Sequence, residues 1–255
     1  MYRKPLLVGN WKMNLDHLES TTLVQKILLT LSKKYINKVD LVIIPPFTSL
    51  NGIQTLINKK KLHFAYGAQN ISQYEYGAYT GEVSGYFLKK LGCSFVLIGH
   101  SERRIYFCEN NTNIANKAKI AFKFGIAPII CIGEKLKVRQ NKNHIKFNLS
   151  SLRNSLASLS KEQISDTIIA YEPLWAIGTG KLPSVLDIQE MCKAIREEIE
   201  KLSNSIIARE VRIIYGGSVN NKNINTILSN NDVDGALIGS ASLNAKQFAT
   251  IINLI

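Results

Sequence analysis

Thr167-Ile-Ile-Ala-Tyr-Glu-Pro-Leu-Trp-Ala-Ile-Gly-Thr-Gly-Lys181 is the stretch that decides how this chain is read. Its first five residues are short, apolar and rich in β-branches, as in a strand covered on both faces. One carboxylate, Glu172, stands where that strand stops, because Pro173 has no N–H with which to continue a ladder. Trp175 follows, and then a small-residue tip, Ala176-Ile-Gly-Thr-Gly180, able to swing and to bring bare backbone close to a ligand. A carboxylate at a strand mouth beneath such a tip suggests a base with a lid. Taken alone, Glu-Pro and Gly-Thr-Gly favour a plainer reading, a Glu that caps the next element and an ordinary surface loop. The stretch is not a P-loop: Trp175 stands where its first Gly would be, and Leu182 follows Lys181.

Working outward, short apolar segments alternate with longer amphipathic ones. The strand pattern recurs at 5–10, 39–45, 62–66, 94–99, 126–132, 167–171, 211–215 and 234–238. Apolar spacing of three and four between them predicts helices, for example over 15–31, 114–124 and 188–202. No Pro-rich or Ser-rich linker divides the chain, so residues 1–255 read as a single domain. Eight βα units in this length favour a closed parallel (β/α)8 barrel. An open doubly wound sheet is the runner-up. It lacks its usual support, since no Gly-x-Gly-x-x-Gly follows an early strand.

In such barrels chemistry gathers where the strands end. Strand one ends Gly9-Asn-Trp-Lys12, strand four Gly99-His-Ser-Glu-Arg-Arg104, and strand six at Glu172. Strand seven ends Tyr215-Gly-Gly-Ser-Val219 and strand eight Gly239-Ser-Ala-Ser242. Lys12 alone reads as a surface lysine; at a strand mouth it is a candidate for holding an anion or a developing oxyanion, with Asn10 as an uncharged donor beside it. His100 alone reads as a structural histidine. Its helix-start context, Ser101-Glu-Arg-Arg104, favours the neutral imidazole, which still donates a hydrogen bond. The adjacent Ser101 does not make a hydrolase, since neighbours on one turn do not face each other and no nucleophile elbow is present. Gly216-Gly217-Ser218 and Gly239-Ser240 fall where barrels build phosphate sites from backbone N–H groups.

Composition narrows the class. The apolar fraction of 45% and charged fraction of 20% are those of a soluble globular protein. No apolar run approaches the roughly 20 residues of a membrane helix, and Leu6-Leu7-Val8 is too short a core for a secretory signal. The four cysteines, at 93, 108, 131 and 192, show neither a disulfide nor a zinc pattern, so reduced thiols in a cytosol are the expectation. The net charge of +13 is spread along the chain with no basic stretch interleaved with aromatics, which speaks against nucleic acid. A positive field would instead speed the encounter with a small dianion.

Seven motifs, in order along almost the whole chain, carry a resemblance. They are Gly9-Asn-Trp-Lys-Met-Asn14, Ala68-Gln-Asn70, Gly77-Ala-Tyr-Thr-Gly-Glu82, Gly99-His-Ser-Glu-Arg-Arg104, Cys131-Ile-Gly-Glu134, Ala170-Tyr-Glu-Pro-Leu-Trp-Ala-Ile-Gly-Thr-Gly180 and Tyr215-Gly-Gly-Ser-Val219. With them the chain resembles the triosephosphate isomerase family, whose fold is the TIM barrel. The resemblance implies a cofactor-free, metal-free aldose–ketose isomerase of dihydroxyacetone phosphate and glyceraldehyde 3-phosphate. It implies Glu172 as base, His100 as neutral electrophile, Lys12 and Asn10 as stabilisers of the enediolate, and Glu102 as a supporting carboxylate. Gly178, Ser218, Gly239 and Ser240 would hold the phosphate. A cytoplasmic homodimer is implied as well, with the third loop, residues 69–82, reaching the neighbour so that Thr80 lies near the partner's site. Ser240 departs from the family's more common Gly, and can donate the same N–H only where the backbone does not require positive φ. Pro183 departs at the second hinge of the lid, where it would stiffen the motion.

Other readings fit less well. A Schiff-base aldolase needs a lysine inside a late strand, and strand six offers Glu172. A metal-dependent epimerase needs His and carboxylate ligands on several strands, and the chain has only four His. A binding protein that kept only the barrel would have lost Lys12, His100 or Glu172.

Overall fold

The structure, a computed structural model, describes residues 3–31, 38–60, 64–177 and 183–255. Eight strands form a closed, all-parallel barrel: β1 Leu6–Asn10, β2 Asp40–Ile44, β3 Ala65–Ala68, β4 Phe95–Ile98, β5 Ala127–Ile132, β6 Ile168–Tyr171, β7 Ile213–Gly217 and β8 Gly235–Ile238. β1 closes the ring by pairing with both β2 and β8, Leu6 lying opposite Asp40 on one side and Gly235 on the other. Helices between the strands cover the outside.

Strand periodicity sorts the apolar residues into two cores. Leu6, Val8, Val42, Ile44, Leu97, Ile129, Cys131, Ile168, Ala170, Ile214 and Leu237 pack inside the barrel. The alternate positions, among them Leu7, Ile43, Val96, Ile130, Ile169 and Ile213, pack outward against the helices. This is why the strands carry continuous rather than alternating hydrophobicity. The same parity continues past the strand ends. Residues 10, 172, 216 and 239 each lie two beyond an inward-facing residue, which places Asn10, Glu172, Gly216 and Gly239 at the inner rim.

Helix starts follow local chemistry. Asp16 with Glu19 and Ser184 with Asp187 form reciprocal capping boxes for helices His17–Thr30 and Val185–Leu202. The sequence pattern is shifted by two residues at β7 and is furthest out at the third strand. It was expected over 62–66, whereas β3 runs Ala65–Ala68, and Leu62 and His63 lie outside the described residues. Ala-Tyr-Gly-Ala has little intrinsic strand preference. Its placement comes from packing: a Cβ on Gly67 would sit 2.3 Å from the Phe95 carbonyl oxygen, so only glycine lets β3 and β4 close up here.

One buried ionic cluster holds the outer layer. Glu109, beneath helix Asn111–Lys123, accepts from both Arg103 and Lys117, and Lys117 also donates to Asn70 Oδ1 at 2.8 Å. Burial pushes the Glu109 carboxyl up, but the two cations outweigh it and its pKa lies below the ordinary value. A depressed folded pKa contributes stability that is complete above the unfolded carboxylate value of about 4.3 and is lost as pH falls through the folded one. Glu109→Gln is therefore expected to cost about 3 kcal/mol at pH 7, where it strands Lys117. In urea titrations the gap from wild type should narrow steadily below about pH 4. An undiminished gap at low pH would assign the loss to packing.

Candidate active site

Glu172 follows β6, points into the barrel mouth and is only 4% exposed. Its Oε1 lies 3.2 Å from His100 Nε2, and its Oε2 accepts the Ser101 backbone N–H at 3.3 Å. The Cys131 thiol, inward on β5, also helps to hold its charge. Burial drives the Glu172 pKa up; His100, its hydrogen bond and the Ser101 N–H drive it down further, and the net direction is downward.

His100 caps the short helix Ser101–Tyr106, and its Nδ1 accepts the Glu102 N–H at 3.4 Å. That bond leaves the proton on Nε2, facing Glu172. From sequence, the helix start is expected to favour the neutral ring, but the net shift runs the other way. Burial opposes the imidazolium, while the charges of Glu172 and Glu102 favour it more strongly, so in this arrangement the His100 pKa lies above the ordinary value.

Lys12 reaches over from β1, and its Nζ lies 2.6 Å from Glu102 Oε1. Its backbone is left-handed, with φ of 52°, a conformation that costs a non-glycine residue about 1–2 kcal/mol. Two bonds hold it there. The Lys12 N–H donates to Asn10 Oδ1 at 2.9 Å, and Gln69 Nε2 donates to the Lys12 carbonyl at 2.6 Å.

Asn10, Lys12, His100 and Glu172 open onto one cavity of about 540 Å3. Ser218, Gly239 and Ser240 line the same cavity, so four of the five catalytic candidates and three of the four phosphate candidates meet in one space; Glu102 does not line it and touches it through Lys12. Gly178, the fourth, lies outside the described residues. Thr80 lies on the exposed third loop and does not line the cavity.

The family model for Triosephosphate isomerase matches residues 5–255. The chain is 57% identical over 251 residues to the triosephosphate isomerase of Mycobacterium sp. (strain JLS), covering 98% of this chain and 96% of that protein. It is 56% identical to that of Mycolicibacterium vanbaalenii over 251 residues, with the same coverage. Against that of Mycobacteroides abscessus it is 54% identical over 249 residues, 98% of this chain and 95% of that one. The chain belongs to the triosephosphate isomerase family.

It is accordingly an isomerase with the TIM-barrel fold that its strand pattern suggested. Ser240, where the family more commonly has Gly, opens the short 3-10 turn Ser240–Leu243 and is not among the residues of positive φ. The condition for a serine to present its N–H there is met.

The structure also adds residues that strand-end reading passed over. The end of strand five looked poor in ionisable groups, yet Glu134 is fully buried there and accepts from Tyr171, Asn148 and Trp175, the last at 3.0 Å. The Arg139 guanidinium lies over the Trp175 ring, 5.5 Å from its centre, and bonds Asp187, which completes the Ser184 capping box of helix Val185–Leu202. Glu134 and Arg139 thus hold Trp175 and Asp187 in place. The Cys131-Ile-Gly-Glu134 motif held this signal, but a buried Glu at a loop start cannot be told from a solvated one by spacing.

Gly216 has a task that differs from turning the chain. A Cβ there would lie 2.7 Å from Glu172 Cγ. Gly216→Ala is expected to push the carboxylate off its seat and lower kcat more than tenfold while KM for substrate changes little. Steady-state kinetics on the folded variant, checked by circular dichroism, would show it. An unchanged kcat would mean that Glu172 has room the packing does not reveal.

Proposed function

We propose that this enzyme interconverts dihydroxyacetone phosphate and D-glyceraldehyde 3-phosphate by proton transfer through an enediolate. The observation that carries the reading is the convergence, on one small cavity, of a buried carboxylate, an imidazole N–H and an ammonium with Ser218, Gly239 and Ser240 in the same lining. The first three groups suit a carbon acid next to a carbonyl. The last three suit a phosphate held by backbone N–H groups.

Glu172 takes the proton and returns it to the neighbouring carbon. At rest it is a weak base, because His100 and Ser101 satisfy its charge. A substrate oxygen that takes over the His100 Nε2–H removes the strongest of those influences, and burial then raises the carboxylate's basicity where it is needed. His100 polarises the carbonyl as a donor, its Nδ1 held by the Glu102 N–H. Lys12 and Asn10 stabilise the developing oxyanion, and Glu102 fixes the ammonium. Ser218, Gly239 and Ser240 bind the phosphate, a role that the family resemblance extends to Gly178. An enediolate phosphate loses its phosphate in water, so the covering segment protects the intermediate.

The third loop supports a homodimer. Tyr74 and Tyr79 stack at 3.9 Å, and the Ser72 N–H to Val83 bond closes the loop's base, so it is ordered before meeting a partner. Met13 is 96% exposed, and Tyr76, Tyr86 and Phe87 add apolar surface. In this assembly Thr80 approaches the neighbour's site.

The test is a coupled assay on dihydroxyacetone phosphate with light scattering on the same sample. Turnover of at least hundreds per second from a particle of twice the chain mass is expected. A folded protein without turnover would overturn the isomerase reading, and a fully active monomer would overturn the dimer.

A further inference from the structure

We propose a second anion site, outside the barrel mouth, that takes an organic polyphosphate carrying a flat ring. A cleft of about 760 Å3 lies between the segment leaving β5 and the starts of helices Asn111–Lys123 and His144–Leu156. It is larger than the cavity of about 540 Å3 assigned to the triose phosphate.

Charge is the first observation. Arg104, Lys135, Lys137 and Lys146 line the cleft and no carboxylate does. Elsewhere cations hold partners: Arg103 takes Glu109, Arg153 Glu198, Arg196 Asp232 and Asp234, and Arg212 Asp40. Among the described residues, none of the four cleft cations forms an ion pair.

Arg104 supplies the second. This half-buried guanidinium donates to the Gly99 carbonyl at 2.8 Å, Asn111 Oδ1 at 2.8 Å and the Cys131 carbonyl at 2.9 Å, all neutral acceptors. A planar guanidinium has five N–H groups, so it keeps N–H donors beyond these three bonds, and no described carboxylate pairs with it directly.

The third is the start of helix His144–Leu156. No side chain caps it and its first turn holds no acidic residue; the same holds for the short helix Leu136–Gln140 at the cleft, whereas helix Asn111–Lys123 is closed by the Asn110–Asn113 capping box. The first N–H groups of helix His144–Leu156 and the positive end of its dipole therefore add to the cationic field. Asn143, Lys146 and Phe147, all from that end, face the cleft.

Several separated cations match several phosphate oxygens better than one. Phe147, 46% exposed at the same wall, offers a ring face on which a flat group can stack. A nucleoside polyphosphate has both parts.

The experiment is calorimetric titration of magnesium-free ATP into the full chain, with glycerol 3-phosphate present to fill the barrel mouth. Lys135→Ala/Lys146→Ala should weaken ATP at least tenfold. Phe147→Ala should weaken ATP severalfold and leave tripolyphosphate unchanged. Both variants should keep wild-type isomerase kcat/KM, since neither touches the barrel mouth. ATP heat that is absent from the wild type, that disappears with glycerol 3-phosphate, or that survives both variants would overturn the proposal.

Discussion

Glu172→Gln is expected to lower kcat on dihydroxyacetone phosphate by about a hundred- to ten-thousand-fold, the range for removal of a general base. Glutamine has the same shape and keeps an oxygen for the Ser101 N–H or the His100 Nε2–H, so the variant should fold and hold substrate with little change in KM. What it loses is the ability to accept a proton. The result therefore separates chemistry from binding: a collapse in kcat at near-constant KM assigns the proton transfer to position 172. Activity within threefold of wild type would place the base elsewhere. A large rise in KM with kcat preserved would make Glu172 a binding residue.

Lys12→Met should lower kcat/KM by about a hundred- to a thousand-fold or more, as for other preorganised stabilisers of developing charge. Among the described residues around the cavity, Lys12 is the one lysine or arginine. It faces both the charge of the phosphate and the charge that develops on the oxygens, so KM should rise and kcat should fall together. Stability should change little, since Lys12 and Glu102 are 30% and 42% exposed as side chains and such pairs contribute at most about 1 kcal/mol. The methionine accepts the strained φ no worse than lysine does. Denaturant melting beside the kinetics would check both halves. An inactive variant that has also lost several kcal/mol would show that the electrostatic role had been confounded with folding.

Much of the barrel was legible because its strands are buried on both faces and stand out as short apolar runs. β3 was the exception. Its three small residues and one tyrosine carry no such signal, and Gly67 belongs there because of a neighbouring strand, not because of anything nearby in the chain. The candidate site was legible for a related reason. The inward column runs to the end of β1 and one step beyond β6 and β8, so reading off the strand ends was enough to pick out Asn10, Glu172 and Gly239. Glu134 and Arg139 escaped, because their significance is burial against Trp175 and Asp187, which spacing does not encode.

The sequence by itself determined the alternation of strands and helices, the side chains delivered to the strand mouths, and the family to which they point. These depend on patterns a few residues long: a strand parity, a helix period, a proline that ends a ladder. Only the tertiary structure decided how the delivered groups meet. Ser101 is 71 positions from the carboxylate it binds, and Lys12 is 90 from Glu102. Barrel closure sets those distances, and with them the lowered Glu172 pKa, the proton on His100 Nε2, and the space above Gly216 that Glu172 fills. Each is a sum over partners brought together from different strands, and so none exists until the ring is closed.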